Sequence, residues 1–166
     1  MSEGRFDAAA IVRVLHRHDV MFVVIGGIAG QLWGSPTITQ DLDICYSREK
    51  VNLEHLAAAL RELHAKVRGV KEAVPFLLDA RTLAAGDSFT FVTDLGDLDC
   101  LATPTGTNGY DDLKQAAEQV ELAGRKTLVT SVDDLIRMKR AAGRAKDRIE
   151  VEILGAVRDE RGRRKR

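Results

Sequence analysis

The sequence predicts an α+β fold, a short mixed β-sheet with helices packed mainly on one side. Three patterns predict it. An apolar, β-branched run at 21–25 is stopped by Gly26-Gly27 and followed at once by a short helical stretch. Two segments, 41–45 and 97–102, alternate with the period of two that a half-buried strand requires. Leu53, Leu56, Leu60 and Leu63 recur at i, i+3, i+7 and i+10, the apolar stripe of a core-facing helix. Elements that are apolar on one side fold by burying those sides against one another.

The chain has 166 residues, which predicts a single domain over 1–157 and a basic tail at 158–166. A domain of this size buries about two-thirds of its unfolded surface. Apolar (45%) and charged (30%) fractions are those of an ordinary globular protein. The formal net charge is zero, so no global basic field marks a nucleic-acid binder. The tail nevertheless holds six basic and two acidic residues. It reads as a solvated, frayed end, with a phosphate-contacting arm as the alternative. Cys45 and Cys100 are too few for a disulfide framework and read as small core residues. The polar start lacks the apolar core of a signal peptide, and no apolar run reaches membrane-spanning length. The expected setting is cytoplasmic, with no membrane partner.

The first helix is expected over 6–18, with Phe6, Ile11, Val14 and Leu15 near helical spacing and Asp7 or Gly4 at its start. His16 and His18 fall on its basic outer end, where solvent exposure is expected. The strand at 21–25 is followed by a Gly-Gly turn and a helix over 28–33 that ends in Trp33, a packing residue or, alternatively, a base-stacking one. A loop around Gly34-Ser35-Pro36 leads into the strand at 41–45. The leucine-striped helix starts after 47–52. The stretch 67–85 carries no clear signal. Strands are expected at 88–93 and 97–102, joined by a tight turn at Asp94-Leu95-Gly96. A loop at 104–109 precedes a surface helix at 110–119 and a hairpin of 120–122 with 126–129. Ser131 and Asp134 form a capping box for the next helix. Gly143 interrupts that helix, and a last one is expected from about Lys146 to Ala156.

The chemistry lies in 23–45. Period-two alternation points Asp41 and Asp43 to one face of their strand, while Leu42 and Ile44 point to the core. Two carboxylates roughly 4 Å apart repel by about 4 kcal/mol at an effective dielectric near 20. A divalent cation reverses that repulsion, and hard oxygen ligands suit Mg²⁺. Gly26-Gly27, just before a helix, brings bare backbone N–H groups to a place where phosphate binds. Thr39 shares the face of Asp41, available to a phosphate or to strand pairing. Phosphate cradle and metal carboxylates together are the equipment of phosphoryl or nucleotidyl transfer. A third carboxylate is required to hold two ions. Asp97 and Asp99 share a face of their strand, and spacing alone does not choose between them. Asp97 has a local reason to stand beside a turn. Asp99 lies deeper, where an acid without a ligand is costly, and is favoured.

These residues resemble the nucleotidyltransferase superfamily with the DNA polymerase beta-like fold. Its pattern is an apolar residue, Gly, and Gly or Ser, then a gap, then Asp, apolar, Asp or Glu, apolar. Here Ile25, Gly26 and Gly27 are followed by thirteen residues and then Asp41, Leu42, Asp43 and Ile44. The stretch KDRIE at 146–150 is similar to the lysine-aspartate-x-x-aspartate motif of AbiEii/MenT-type toxin nucleotidyltransferases, with Glu150 in place of the final Asp. The lead-in at 131–147 supplies Lys139. Two features depart from that group: its larger helical C-terminal part is missing, and the glycine and acid motifs differ from those of minimal antitoxin relatives.

The resemblance implies a nucleotidyltransferase-like mixed sheet and a two-metal transfer in which Asp41, Asp43 and Asp99 are the catalytic and metal residues. It implies two Mg²⁺ ions and a nucleoside triphosphate, with Gly26, Gly27, Thr39, Lys139, Lys146 and Asp147 as its binding residues. Arg140 and Arg144 add charge to the same segment. The expected reaction moves a nucleoside monophosphate to an acceptor hydroxyl. An RNA end in a toxin–antitoxin-like system, with a cognate antitoxin as partner, is the first acceptor reading; an aminoglycoside-type small molecule is the second. A non-catalytic nucleotide-binding module is the reading from outside the enzymes.

Overall fold

The computed structural model describes residues 5–69 and 78–165. Helix α1 (Ala8–Arg17) starts at Asp7, whose carboxylate accepts the Ala10 N–H at 3.0 Å. Strand β1 (Phe22–Ile25) is buried throughout and leads directly into α2 (Gly26–Trp33). Strand β2 (Asp41–Tyr46) carries the two acids, and α3 (Lys50–Glu62) carries the leucine stripe. Then follow β3 (Lys66–Val67), α4 (Ala80–Ala85), β4 (Ser88–Thr93) and β5 (Gly96–Leu101). The last third is α5 (Tyr110–Ala116), β6 (Glu118–Leu122), β7 (Arg125–Val129), α6 (Val132–Ala142) and α7 (Ala145–Arg164).

The described strands form one mixed sheet in the order β3-β4-β5-β2-β1-β7-β6. The β2–β5 and β1–β7 pairs are parallel and the other four antiparallel. Period-two alternation then sorts the side chains. Phe22, Val24, Leu42, Ile44, Leu98 and Cys100 enter the main core with Ile11 and Leu15 of α1 and Leu53, Leu56 and Leu60 of α3. Val23, Ile25 and Cys45 point the other way, into a smaller core closed by Leu113 of α5. The predicted α+β architecture, with most helix packing on one face, is what the chain adopts. The thinly covered second face is the one from which the acids project.

Several local expectations need correction. His16 is half-buried rather than fully exposed: its ring lies against Phe22 and its Nε2 is 2.8 Å from Thr127 Oγ1. Gly26-Gly27 is the first turn of α2 rather than a turn ahead of it. The helix expected at 110–119 ends at Ala116 because Glu118 begins an edge strand, and its Leu113 is fully buried. The final helix does not stop near Ala156 but continues to Arg164, so most of the basic tail is helical. Arg161 there stacks on Trp33 at 4.2 Å and donates to Glu118. The Trp33 indole N–H donates to the Thr130 carbonyl, which makes this tryptophan a strut between α2 and the strand side of the fold. Part of the stretch left open at 67–85 lies outside the described residues. Its described ends contribute a two-residue strand and the short α4.

Candidate active site

Two adjacent strands bring three acids to one point. β2 and β5 run in parallel, with Asp41 beside Asp97 and Asp43 beside Asp99. Asp41, Asp43 and Asp99 each place a carboxylate oxygen within 4.8 Å of the others. Among the described residues no second group of three His, Cys, Asp or Glu gathers in this way. Asp97 stands outside the cluster and pairs with Arg68 at 3.4 Å. The choice that spacing left open therefore falls, in geometry, to Asp99.

Like charges at this separation repel by about 3 kcal/mol per pair at an effective dielectric near 20. Burial, together with the charges of Asp41 and Asp99, pushes the Asp43 carboxyl up to about 8. Asp99 is also raised, chiefly by burial, while its bond to Arg68 works in the opposite direction. A cluster that holds on to a proton near neutrality is poised to exchange it for a metal cation.

The glycines serve the acids as well as the helix start. Gly26 has φ +68°, and a Cβ there would fall 2.0 Å from Asp43 Oδ2. A Cβ on Gly27 would fall 2.8 Å from Thr39 Cβ. No side chain caps the start of α2, so its first N–H groups keep their capacity for an anion at the positive end of the helix. Thr39 lines the same cleft as the acids. Its hydroxyl donates to Asp41 Oδ1 at 2.7 Å and so orients that carboxylate.

The site opens into a cleft of about 720 Å³. All nine residues proposed from sequence line it: Gly26, Gly27, Thr39, Asp41, Asp43, Asp99, Lys139, Lys146 and Asp147. Arg144 lines it too, whereas Arg140 is exposed and lies outside the lining. Asp147 is only 1% exposed. Its carboxylate accepts from the Arg144 backbone N–H at 3.1 Å and from Arg144 Nε at 2.7 Å, and lies 3.7 Å from Lys139 Nζ. The Arg144 guanidinium holds this carboxyl below its ordinary range. Asp147 thus acts on two cleft cations rather than opening to the cleft as a bare acid. Glu150 accepts from the Thr37 hydroxyl at 2.7 Å and ties α7 to the loop before β2.

Two residues at the site escaped the sequence reading. Arg68 donates to Asp99 Oδ1 at 2.7 Å. It lies just past a two-residue strand, too short to show periodicity. Ile38 lines the cleft yet is 81% exposed, and an apolar residue in a polar loop gave no pattern to read.

The sequence matches no family model and no curated protein. Solved structures do resemble the fold. The lincosamide antibiotic adenylyltransferase LnuA, in its lincomycin-bound form, aligns with a TM-score of 0.58 at 13% identity, over 93% of this chain and 99% of its own. A candidate nucleotidyltransferase from Thermotoga maritima, TM1012, aligns at 0.54 and 18% identity, over 92% and 96%. The antibiotic-resistance factor ANT(2'')-Ia aligns at 0.51 and 15% identity, over 94% and 91%. Across nearly its whole length, this chain has the fold of those nucleotidyltransferases.

Proposed function

We propose that this protein is a Mg²⁺-dependent nucleotidyltransferase that moves a nucleoside monophosphate from a nucleoside triphosphate to an acceptor hydroxyl. The observation that carries this reading is the meeting of Asp41, Asp43 and Asp99 within 4.8 Å, beside a helix start built by Gly26-Gly27. The donor set fits Mg²⁺: three carboxylates, all hard oxygen ligands, whose mutual repulsion a divalent ion relieves. When bound there, the ions would offset phosphate charge and make the attacking hydroxyl more acidic.

The chain's own residues supply the rest. The N–H groups of Gly26 and Gly27 receive phosphate oxygens at the α2 N-terminus. Lys139, Arg144 and Lys146, which line the same cleft, match the remaining triphosphate charge. Asp99 takes the proton of the acceptor hydroxyl. The new bond forms between that oxygen and the α-phosphorus, and the bond to pyrophosphate breaks. Positioning and charge neutralisation carry such a transfer, with little covalent work for the protein.

For the acceptor, a small hydroxylated molecule is the reading supported by near full-length likeness to a lincosamide antibiotic adenylyltransferase and an antibiotic-resistance factor. An RNA end in a toxin–antitoxin-like setting is supported by the KDRIE motif and by the basic end of α7. The test is incubation with Mg²⁺ and each labelled triphosphate in two arms, one with an aminoglycoside and lincosamide panel, the other with total RNA. Labelled product in the small-molecule arm is expected. Product only in the RNA arm reverses the acceptor, and nucleotide binding without product in either arm leaves the non-catalytic module.

A further inference from the structure

Ile38 is the most exposed large apolar side chain among the described residues, at 81%, and it lines the cleft that holds the carboxylate cluster. Neither the motifs nor the proposed transfer uses it. A single exposed apolar residue is ordinary on a protein surface. This one, however, is held in place from both sides. Gln31 of α2 donates through Nε2 to the Thr37 carbonyl at 2.8 Å, and the Thr37 hydroxyl donates to Glu150 of α7 at 2.7 Å. On the other side, the Thr39 hydroxyl donates to Asp41 Oδ1 at 2.7 Å. The backbone that carries Ile38 is thus fixed before any ligand arrives, which lowers the ordering cost of a contact made there. The three anchors belong to α2, α7 and β2, the elements that bear Gly26-Gly27, Lys146 and Asp41. None of the three reaches β5, which bears Asp99.

We propose that Ile38 is the apolar contact for the base of the nucleoside triphosphate. This rests on the proposed transfer in the same cleft. In-line displacement sets the attacking hydroxyl and the departing pyrophosphate on opposite sides of the α-phosphorus. Pyrophosphate at the α2 start therefore sends the acceptor to the other end of that line, where Asp99 takes its proton. The nucleoside leaves the α-phosphate to the side of the line. Ile38 is fastened to the elements that hold the phosphates and not to β5, so the group within its reach is the nucleoside rather than the acceptor. The face of a base gains by covering exposed apolar carbon, and a phosphate chain has no such face. Ile38 thus adds affinity for the nucleotide without adding affinity for its phosphates.

Calorimetric titration with ATP, GTP, CTP and UTP, and separately with inorganic tripolyphosphate, each with Mg²⁺, tests this. Wild type, Ile38→Ala and Ile38→Leu are compared. Ile38→Ala is expected to bind the nucleotide that wild type prefers about fivefold more weakly, the scale of a few methyl groups left uncovered. Its affinity for tripolyphosphate is expected to stay within about twofold of wild type, since that ligand has no base. Ile38→Leu, which keeps the apolar carbon, is expected to stay within about twofold for both ligands. Melting curves without ligand show which variants are folded, and Ile38→Thr replaces the alanine variant if that one is not. Unchanged nucleotide affinity in the folded variant overturns the contact, and a raised KM for the acceptor in its place gives Ile38 to the acceptor. Equal loss for tripolyphosphate overturns it as well, because the loop then acts on the phosphate site. No nucleotide binding by wild type overturns the proposed transfer itself and the contact with it.

Discussion

A Cβ at Gly26 would occupy space that Asp43 Oδ2 already fills, 2.0 Å away. Gly26→Ala is therefore expected to push Asp43 out of the cluster and weaken Mn²⁺ binding at least tenfold by calorimetry; unchanged affinity would mean that Asp43 is not a ligand. Asp147 works differently. It is buried, and it grips Arg144 and Lys139. Asp147→Asn removes the charge that orders both cations. It is expected to raise the Kd of a triphosphate about tenfold while leaving Mn²⁺ binding to the three acids intact. Equal loss of both affinities would make Asp147 part of the metal site. Elsewhere, burial pushes the Cys45 thiol up to about 12 and also raises Cys100, so neither cysteine is a nucleophile at neutral pH.

Among the elements, α5 covers part of the face that bears the acids and is clasped from the side. Asp112 accepts the Asn108 N–H at 2.9 Å and pairs with Arg137 of α6 at 3.1 Å. Both contacts hold the Asp112 carboxyl below its ordinary range, the backbone bond most. A depressed folded-state pKa contributes stability that is present above the unfolded value, near 4, and is lost as pH falls through the folded one. Asp112→Asn is expected to lower the melting temperature by about 2–4 °C at pH 7. The difference from wild type should shrink below about pH 4, and a constant difference down to pH 2 would argue against this linkage. The elements themselves were unequally legible. β4, β5 and the β6–β7 hairpin could be read because alternation and turn residues act locally; Ala123 and Gly124 at the hairpin both have positive φ. α5 was misjudged because its apolar contact to the sheet narrows to Leu113 and Tyr110. The end of α7 looked like a frayed tail because it is stabilised by local pairs, such as Glu160 with Arg164, and by Arg161 on Trp33. Such contacts leave no apolar stripe.

For the whole molecule, what the sequence did not reveal is mostly non-local pairing. Alternation showed that Asp41 and Asp43 share a face and that Asp97 and Asp99 share another. It did not show that β2 and β5 would lie side by side and in parallel, which is what brings Asp43 next to Asp99. The choice of Asp99 over Asp97 and the arrival of Arg68 follow from that pairing and from the register of β4 against β5. The bound state is the most direct test of the assembled site. A ligand that binds only native protein at 100 times its Kd adds about 2.7 kcal/mol of stability. The decisive measurement is the melting temperature of wild type and of Asp41→Asn with Asp43→Asn, each with and without Mg²⁺ plus a nucleoside triphosphate. A rise of about 5–10 °C is expected for wild type, with none for the double variant. An equal rise in both would place the nucleotide away from the carboxylates and contradict the proposed active site.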